Sequence, residues 1–405
     1  MAKVLVLCSH DSHQAGHGWS LSKRLETEGH KVCFVVLHRN NSAETENYFF
    51  DGISRWKNFN LIRLLYIYFD SFIISKLMRP DPVHCFNTSG LYGISAKRIL
   101  KKCPFVPDII QITWTTRFLT PKTIRELYNL TGAKIIFTMN DEAILAGCHY
   151  PANCNGYVNG CKDCPGVKHF KCLPRRFVAM KERNWTDMPA EIIGTKYDIA
   201  LADKTPFLKH MIKFGDVTIP ELDIVISKKD ARVFFGIADD DYVIFAGANN
   251  IVEKRKGFDV LVKAINLFAS ENKSSRPITL LLMGHIIGDF PFVFDDRINI
   301  VIRDFLPQTD FLKAYYACDV YASPTLADSG PMMVNYSIAC GRPVIAFPVG
   351  VAVDLVVPGK TGYMAEFGNA RDFAEGLSLF YKKSEDELSK YEIACKTHIN
   401  SFANS

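Results

Sequence analysis

DVYASPTLADSGPMMVNYSIACGRPVIAFPVGVAVDLVVPGKTG, Asp319–Gly362, is the stretch from which the rest of the chain can be read. Asp319 to Pro324 has the β-branched and aromatic character of a short buried strand that stops at a proline. Asp328-Ser329-Gly330 makes a polar turn, and Pro331 suits the first position of a helix, with Ser329 or Gly330 as its cap. The helix is expected over Met332 to Cys340 and should end at Gly341. A second strand, Pro343 to Phe347, leads into the turn Pro348-Val349-Gly350. Strand, turn, helix and strand form one unit of a parallel α/β sheet. Such units take ligands at the carboxyl ends of their strands, where the N–H groups of a helix N-terminus suit phosphate. Asp328, at the strand exit, is placed to accept hydrogen bonds from sugar hydroxyls.

The stretch resembles the donor-site signature of family 4 glycosyltransferases. Asp328, Cys340-Gly341-Arg342-Pro343-Val344, Gly350 and Gly359-Lys360-Thr361-Gly362 stand in register with it. The departure is at the second acid of the signature, a glutamate eight positions after the first, where this chain has Tyr336. That glutamate is read in the family as holding the ribose, and a tyrosine offers one hydrogen bond in place of a carboxylate's pair.

The chain has 405 residues, enough for two domains with full cores. Its 48% hydrophobic and 22% charged residues fit an α/β protein. A net charge of +5 is mild. It suits anionic partners such as nucleotides or a lipid surface, and equally an ordinary basic protein. No nucleic-acid motif accompanies it, so no nucleic-acid partner is expected. The start, MAKVLVLCSHDSHQ, enters a strand directly, and twelve cysteines, several in expected buried strands, read as free thiols. A cytoplasmic protein is expected.

In the first half, Lys3 to Cys8 is a strand and Trp19 to Glu28 a helix, joined by a loop with Gly16-His17-Gly18. A spaced glycine triplet for a dinucleotide is missing. The resemblance puts a donor-facing glycine loop here, matched loosely, with Gly18 a donor-binding candidate. Leu61 to Met78 is the most apolar segment but includes Arg63, Asp70 and Lys76. It is short of a transmembrane span of about 20 apolar residues. A core helix is expected; the alternative is a surface helix dipping into a membrane. Val83 to Asn87, Asp108 to Thr113, Ala133 to Thr138 and Ile199 to Ala202 read as further strands. At the exit of Ala133 to Thr138, Asn140 and Asp141 are either a helix cap or cleft residues. The resemblance makes Asp141 a match and Asn140 a replacement for a histidine.

Cys148, Cys154, Cys161 and Cys164 form a C-x5-C-x6-C-x2-C pattern in a loop rich in glycine, asparagine and proline. Two thiolates two residues apart fit one side of a tetrahedral zinc site, and two more complete it. Structural zinc, an iron–sulfur cluster, and unliganded thiols or disulfides stay open. Four cysteines leave no open position for catalysis by the metal. A subset of the resembled family carries a similar insert, here about residues 147–172.

In the second half, Lys228 to Gly236 is a helix and Asp239-Asp240-Asp241 a solvated turn. The strand from Tyr242 leads to Lys254-Arg255-Lys256-Gly257 and a helix, Phe258 to Ser270. The resemblance has a basic residue before such a glycine neutralise the donor diphosphate; Lys256 matches, and Arg255 stands in for a second cation. Gly284, at the exit of the strand Thr279 to Gly284, matches backbone contacts to the base.

The resemblance thus implies a GT-B fold: two Rossmann-like doubly wound α/β domains, residues 1–215 for the acceptor and 216–405 for the donor, facing across a cleft. It implies a retaining transfer of sugar from a UDP-, GDP- or TDP-linked donor to a sugar or lipid-linked oligosaccharide, with no metal or cofactor for catalysis. In bacterial relatives the product is often a surface polysaccharide, made at the inner face of the membrane. Asp328, Asn140 and Asp141 become catalytic candidates. Arg255, Lys256, Gly330, Pro331, Met332 and Tyr336 become donor-binding ones. A donor-binding protein without catalysis is the alternative, because Tyr336 and Asn140 both replace residues used for chemistry.

Overall fold

The computed structural model describes residues 1–10, 18–38, 48–49, 65, 68–69, 72–81, 83–84, 86, 93–151, 154–272 and 276–404. The chain divides into two compact units, Met1–Asp216 and Val217–Ser405.

The first unit is built on seven strands: β1 (Lys3–His10), β2 (Lys31–His38), β3 (Tyr48–Phe49), β4 (Ile109–Ile112), β5 (Lys134–Thr138), β6 (Ala190–Gly194) and β7 (Ile212–Gly215). They pair in parallel in the order β3-β2-β1-β4-β5-β6-β7. Helices cover both faces of such a sheet, so its central strands are apolar on both sides. In β1, Leu5 and Leu7 enter one core cluster while Val4, Val6 and Cys8 enter another.

The second unit has six: β8 (Tyr242–Asn250), β9 (Ile278–His285), β10 (Ile298–Arg303), β11 (Val320–Ser323), β12 (Val344–Ala346) and β13 (Gly362–Met364). Their order is β10-β9-β8-β11-β12-β13, again parallel. The chain starts in the middle at β8, moves outward to β10, then returns to β11 on the other side. The β8/β11 border is therefore the switch point, where crossovers leave in opposite directions and open a crevice beyond the strand ends.

Four expectations are corrected. Ile199 to Ala202 lies in a helix, Lys196–Lys204, and the sheet ends instead with β6 and β7. Thr195 and Asp198 form a reciprocal capping box there, a signal present in the sequence that outweighs the short apolar run. Val83 and His84 form a bend rather than a strand; Cys85 and Asn87 lie outside the described residues. In the apolar segment, Leu65, Tyr68, Phe69 and Phe72 are exposed, and burial begins at Ile73 and Ile74, within the π-helical turn Ile73–Met78. Asp241 is buried, accepting a hydrogen bond of 2.5 Å from the Thr279 hydroxyl, so the aspartate turn is tied to β9. Gly16 and His17 lie outside the described residues.

At the entry of β11 the carboxylate of Asp319, only 2% exposed, gathers Lys228 at 2.7 Å, Arg232 at 3.0 Å and Arg276 at 3.4 Å. It also accepts the Val243 N–H at 2.8 Å, which joins it to β8. Removing one member of a buried ionic cluster leaves the others desolvated without compensation. Asp319→Ala is expected to cost about 3–5 kcal/mol in urea unfolding; a loss below about 1 kcal/mol, the level of a surface pair, would contradict the role assigned to it.

Candidate functional site

The β8 exit runs into a 3-10 turn, Lys254–Lys256, and Gly257 opens the helix Phe258–Glu271. Gly257 has φ of 69°, and a Cβ there would lie 1.9 Å from the Pro324 carbonyl oxygen. A glycine is needed on both counts, left-handed backbone and close approach. This contact brings the basic turn against the exit of β11. Leu326 N–H donates to the Arg255 carbonyl at 2.9 Å, locking the two exits together.

Asp328 stands on that exit, 8% exposed. Its Oδ2 accepts from Lys256 Nζ at 2.5 Å and from Arg255 Nη1 at 3.0 Å. Its Oδ1 accepts from Gly330 N–H at 3.3 Å. Arg255 is aimed by Glu253, whose Oε1 accepts from Nε at 2.5 Å, and by the Ala327 carbonyl at 3.3 Å. Burial pushes the Asp328 carboxyl up, but the charges of Lys256 and Arg255 outweigh it and hold the group below the usual carboxylate range. Pro331 is the residue before the helix Met332–Ala339, one place earlier than expected, and no side chain caps the helix. The first N–H groups of a helix lack intrahelical acceptors. In this region they start just beyond Asp328 and carry the positive end of the helix dipole.

The structure thus brings together Asp328, Lys256, Arg255, Gly330, Pro331 and Met332. Tyr336, one turn further along the helix, packs on aromatic neighbours, with ring centroids 5.6 Å from Phe311 and 6.1 Å from Tyr315. Burial raises its hydroxyl pKa, with the charges of Asp223 and Glu221 adding to the effect. Gly284, the residue before the end of β9, has φ of 140°, and a Cβ there would lie 1.8 Å from the Ala248 carbonyl oxygen. Beside it His285 pairs with Asp304 at 2.6 Å and stacks on Phe305 at 5.6 Å. Glu253 was not foreseen, although an acid directly before a basic run is a readable sign that a cation will be held in place.

The remaining candidates belong to the first unit. Gly18 is the buried first residue of the helix Gly18–Thr27, packed on Phe34 and Cys8, where any Cβ would clash. At the β5 exit, Asn140 Nδ2 donates to the Thr113 carbonyl at 3.1 Å. Asp141 is buried, pairing with His149 Nδ1 at 2.6 Å and capping the Ala143 N–H at 2.9 Å. Cys148, Cys161 and Cys164 are buried, Cys154 half-buried and Cys172 exposed, all as free thiols. Burial pushes Cys148 well up and Cys164 up to about 11. Among the described residues, no group of three or more His, Cys, Asp or Glu is arranged to hold a metal ion. No described helix is long and apolar enough to cross a membrane.

Residues 240–383, the greater part of the second unit, match the family model described as Glycosyl transferases group 1. The chain is similar to D-inositol 3-phosphate glycosyltransferases. It is 27% identical over 147 residues to that of Pseudarthrobacter chlorophenolicus, covering 35% of this chain and 34% of the relative. It is 24% identical over 199 residues to that of Paenarthrobacter aurescens, covering 46% and 48%. The chain therefore spans less than half the length of these curated relatives. Among solved structures, sucrose-phosphate synthase from Thermosynechococcus elongatus superimposes with a TM-score of 0.64 at 14% identity, covering 99% of this chain and 95% of that one. Anabaena Alr3699/HepE, crystallised with UDP and glucose, gives 0.61 at 12% identity, covering 99% and 95%. The fold is GT-B, two α/β units each built on a parallel sheet.

The lowered Asp328 pKa has a sign that can be tested. Its contribution to stability is fully present above the unfolded carboxylate value, about 3.9, and is lost as pH falls through the lower folded value. Asp328→Asn should therefore lower Tm near neutrality and show a shallower loss of Tm on acidification below about pH 4. Parallel acid limbs for the two proteins would refute the pairing.

Proposed function

We propose that this chain is a glycosyltransferase that moves a sugar from a nucleotide-sugar donor to a hydroxyl acceptor with retention at the anomeric carbon. The observation that carries the reading is the convergence of Lys256, Arg255 and Asp328 at the switch point, beside a helix N-terminus. A diphosphate leaving group gains negative charge as the glycosidic bond breaks, and cations fixed in advance stabilise that charge. In this scheme the donor diphosphate takes over Lys256 and Arg255 from Asp328, with the N–H groups from Gly330 to Met332 assisting. The freed carboxylate of Asp328 then accepts hydrogen bonds from the sugar and fixes its orientation. Asn140 and Asp141 are proposed as further catalytic residues, with Asp141 held by His149. The UDP and UDP-glucose named for Alr3699/HepE make a UDP-sugar the first donor to try. A cytoplasmic role in surface polysaccharide synthesis, on a sugar or lipid-linked acceptor, is the biological setting that fits this chemistry.

A second reading is a donor-binding protein without turnover. The observation favouring it is Tyr336, whose ring is engaged with Phe311 and Tyr315 where the resembled signature has a carboxylate. Thermal-shift and hydrolysis assays against UDP-, GDP- and TDP-sugars separate the two. One donor should raise Tm and be hydrolysed or transferred, and Lys256→Ala should weaken its binding by about 2–4 kcal/mol, the scale of a charge-assisted contact in a partly buried site. Binding without turnover across donors and acceptors selects the second reading; no binding of any donor overturns both.

A further inference from the structure

The apolar segment that ends at Met78 is used neither by the sugar site nor, over most of its described residues, by the core. Leu65, Tyr68, Phe69 and Phe72 are helical, and each is more than half exposed. Steps of three, one and three residues place all four on one face of a helix. Packing against the core begins only at Ile73 and Ile74. A single exposed apolar side chain is ordinary, but several large ones on one face mark an interaction surface.

A second, independent feature adjoins it. The stretch after the cysteine loop is hydrogen-bonded to the end of this segment. The Lys168 and His169 N–H groups donate to the Met78 carbonyl at 3.2 and 3.1 Å, and the Asp81 N–H donates to the Gly166 carbonyl at 2.8 Å. Pro80 and Val167 form an antiparallel bridge between them. This seam brings Lys168, Lys171 and the half-exposed Phe170 to the end of the segment where Lys76 and Arg79 lie. Arg175 and Arg176 follow on the helix Cys172–Trp185, and all six cations are exposed. No acidic residue occurs from Phe72 to Pro80 or from Val167 to Arg176. An apolar helix face thus runs into a surface of one sign of charge.

We propose that this surface docks the protein on an anionic lipid bilayer. Leu65, Tyr68, Phe69 and Phe72 enter the boundary between headgroups and acyl chains, and the cations beside them meet lipid phosphates. A tyrosine suits that boundary, with an apolar ring and a polar tip. The segment carries Arg63, Asp70 and Lys76 among its apolar residues, so it lies along the interface. The charge chooses the occupant. A second copy of the chain brings the same cations and is repelled by them, whereas an anionic surface attracts every one. The inference does not depend on sugar transfer; where that reading also holds, the first unit and a lipid-linked acceptor meet at one surface.

The test is co-sedimentation of the full chain with vesicles of mixed phosphatidylglycerol and phosphatidylcholine, and of phosphatidylcholine alone. Binding to the mixed vesicles is expected, falling as salt is raised, with much weaker binding to the neutral ones. Lys168→Gln combined with Lys171→Gln should weaken it about 25-fold, a factor of about five for each charge. Phe69→Ser combined with Phe72→Ser should weaken it at least about tenfold. Leu130→Ser, at an exposed apolar residue elsewhere in the first unit, should leave it unchanged. No binding to mixed vesicles, equal binding to neutral ones, full binding by the double phenylalanine variant, or the same loss from Leu130→Ser would overturn the proposal. A dimer in sedimentation velocity that the double phenylalanine variant dissociates would give the face to a second copy and overturn it as well. Should that variant fail to fold, Tyr68→Trp decides: brominated phosphatidylglycerol should quench its fluorescence more than that of the wild type, and equal quenching rejects the docking.

Discussion

Two cations adjacent in sequence, Lys256 and Arg255, repel one another unless something negative lies between them, and a partly buried site gives water little scope to screen them. Asp328 meets that need from a different strand exit, 72 and 73 residues along the chain. Much else in the second unit serves to bring these three groups within hydrogen-bonding distance. The parallel pairing of β8 and β11 sets their exits side by side, Gly257 lets the basic turn lie against Pro324, and Glu253 keeps Arg255 from swinging away. The resulting cluster is charge-balanced but not sealed, because Asp328, Lys256 and Arg255 each retain some exposure. A competing polyanion can therefore reach the cations.

The opposite end of the same strand pair shows what a purely structural version looks like. Asp319 gathers three cations and a β8 N–H, against two cations at Asp328, yet its carboxylate is closed off from solvent. Both ends of the β8/β11 border are clamped by an acid from the β11 side and bases from elsewhere in the unit. The difference lies in where parallel crossovers leave room. At strand entries, helix ends and turns pack closely; beyond the exits at a switch point, they diverge. The same electrostatic device is a staple at one end and a candidate ligand site at the other.

In the first unit the β5 exit carries a different kind of order. Asp141 is buried and bonded to His149, which ties the strand exit to the cysteine-bearing loop only eight residues on. Lys181 reaches that loop from the helix Cys172–Trp185 and donates to its carbonyls, so the loop is bound by polar contacts on several sides. The apolar packing behind it comes from Trp185, which lies 5.1 Å from Phe137 of β5. Polar contacts and burial hold the loop together, since Cys148, Tyr157, Cys161, Cys164 and Val167 also join the core cluster of the first unit.

Much of the fold was readable because parallel strands buried on both faces leave unbroken apolar runs, and glycine and proline mark where they stop. The strands read as Lys3 to Cys8, from Tyr242, and Thr279 to Gly284 were found this way and extend to Lys3–His10, Tyr242–Asn250 and Ile278–His285 in the structure, and the helix starting at Met332 was found likewise. The misreadings came where a local signal was short. The run Ile199 to Ala202 looks like a strand until the Thr195–Asp198 capping box is weighed, and Leu61 to Met78 looks like core although several of its described side chains face solvent. Sequence alone determined the α/β alternation and the residue types at the strand exits, since both follow from local periodicity and spacing. Only the tertiary structure decided that Lys256 and Arg255 share the Asp328 carboxylate, that the Tyr336 ring packs on Phe311 and Tyr315, and that Asp141 pairs with His149. Those pairings join positions far apart in the chain or around a turn, and strand order, which no local pattern encodes, sets which of them meet.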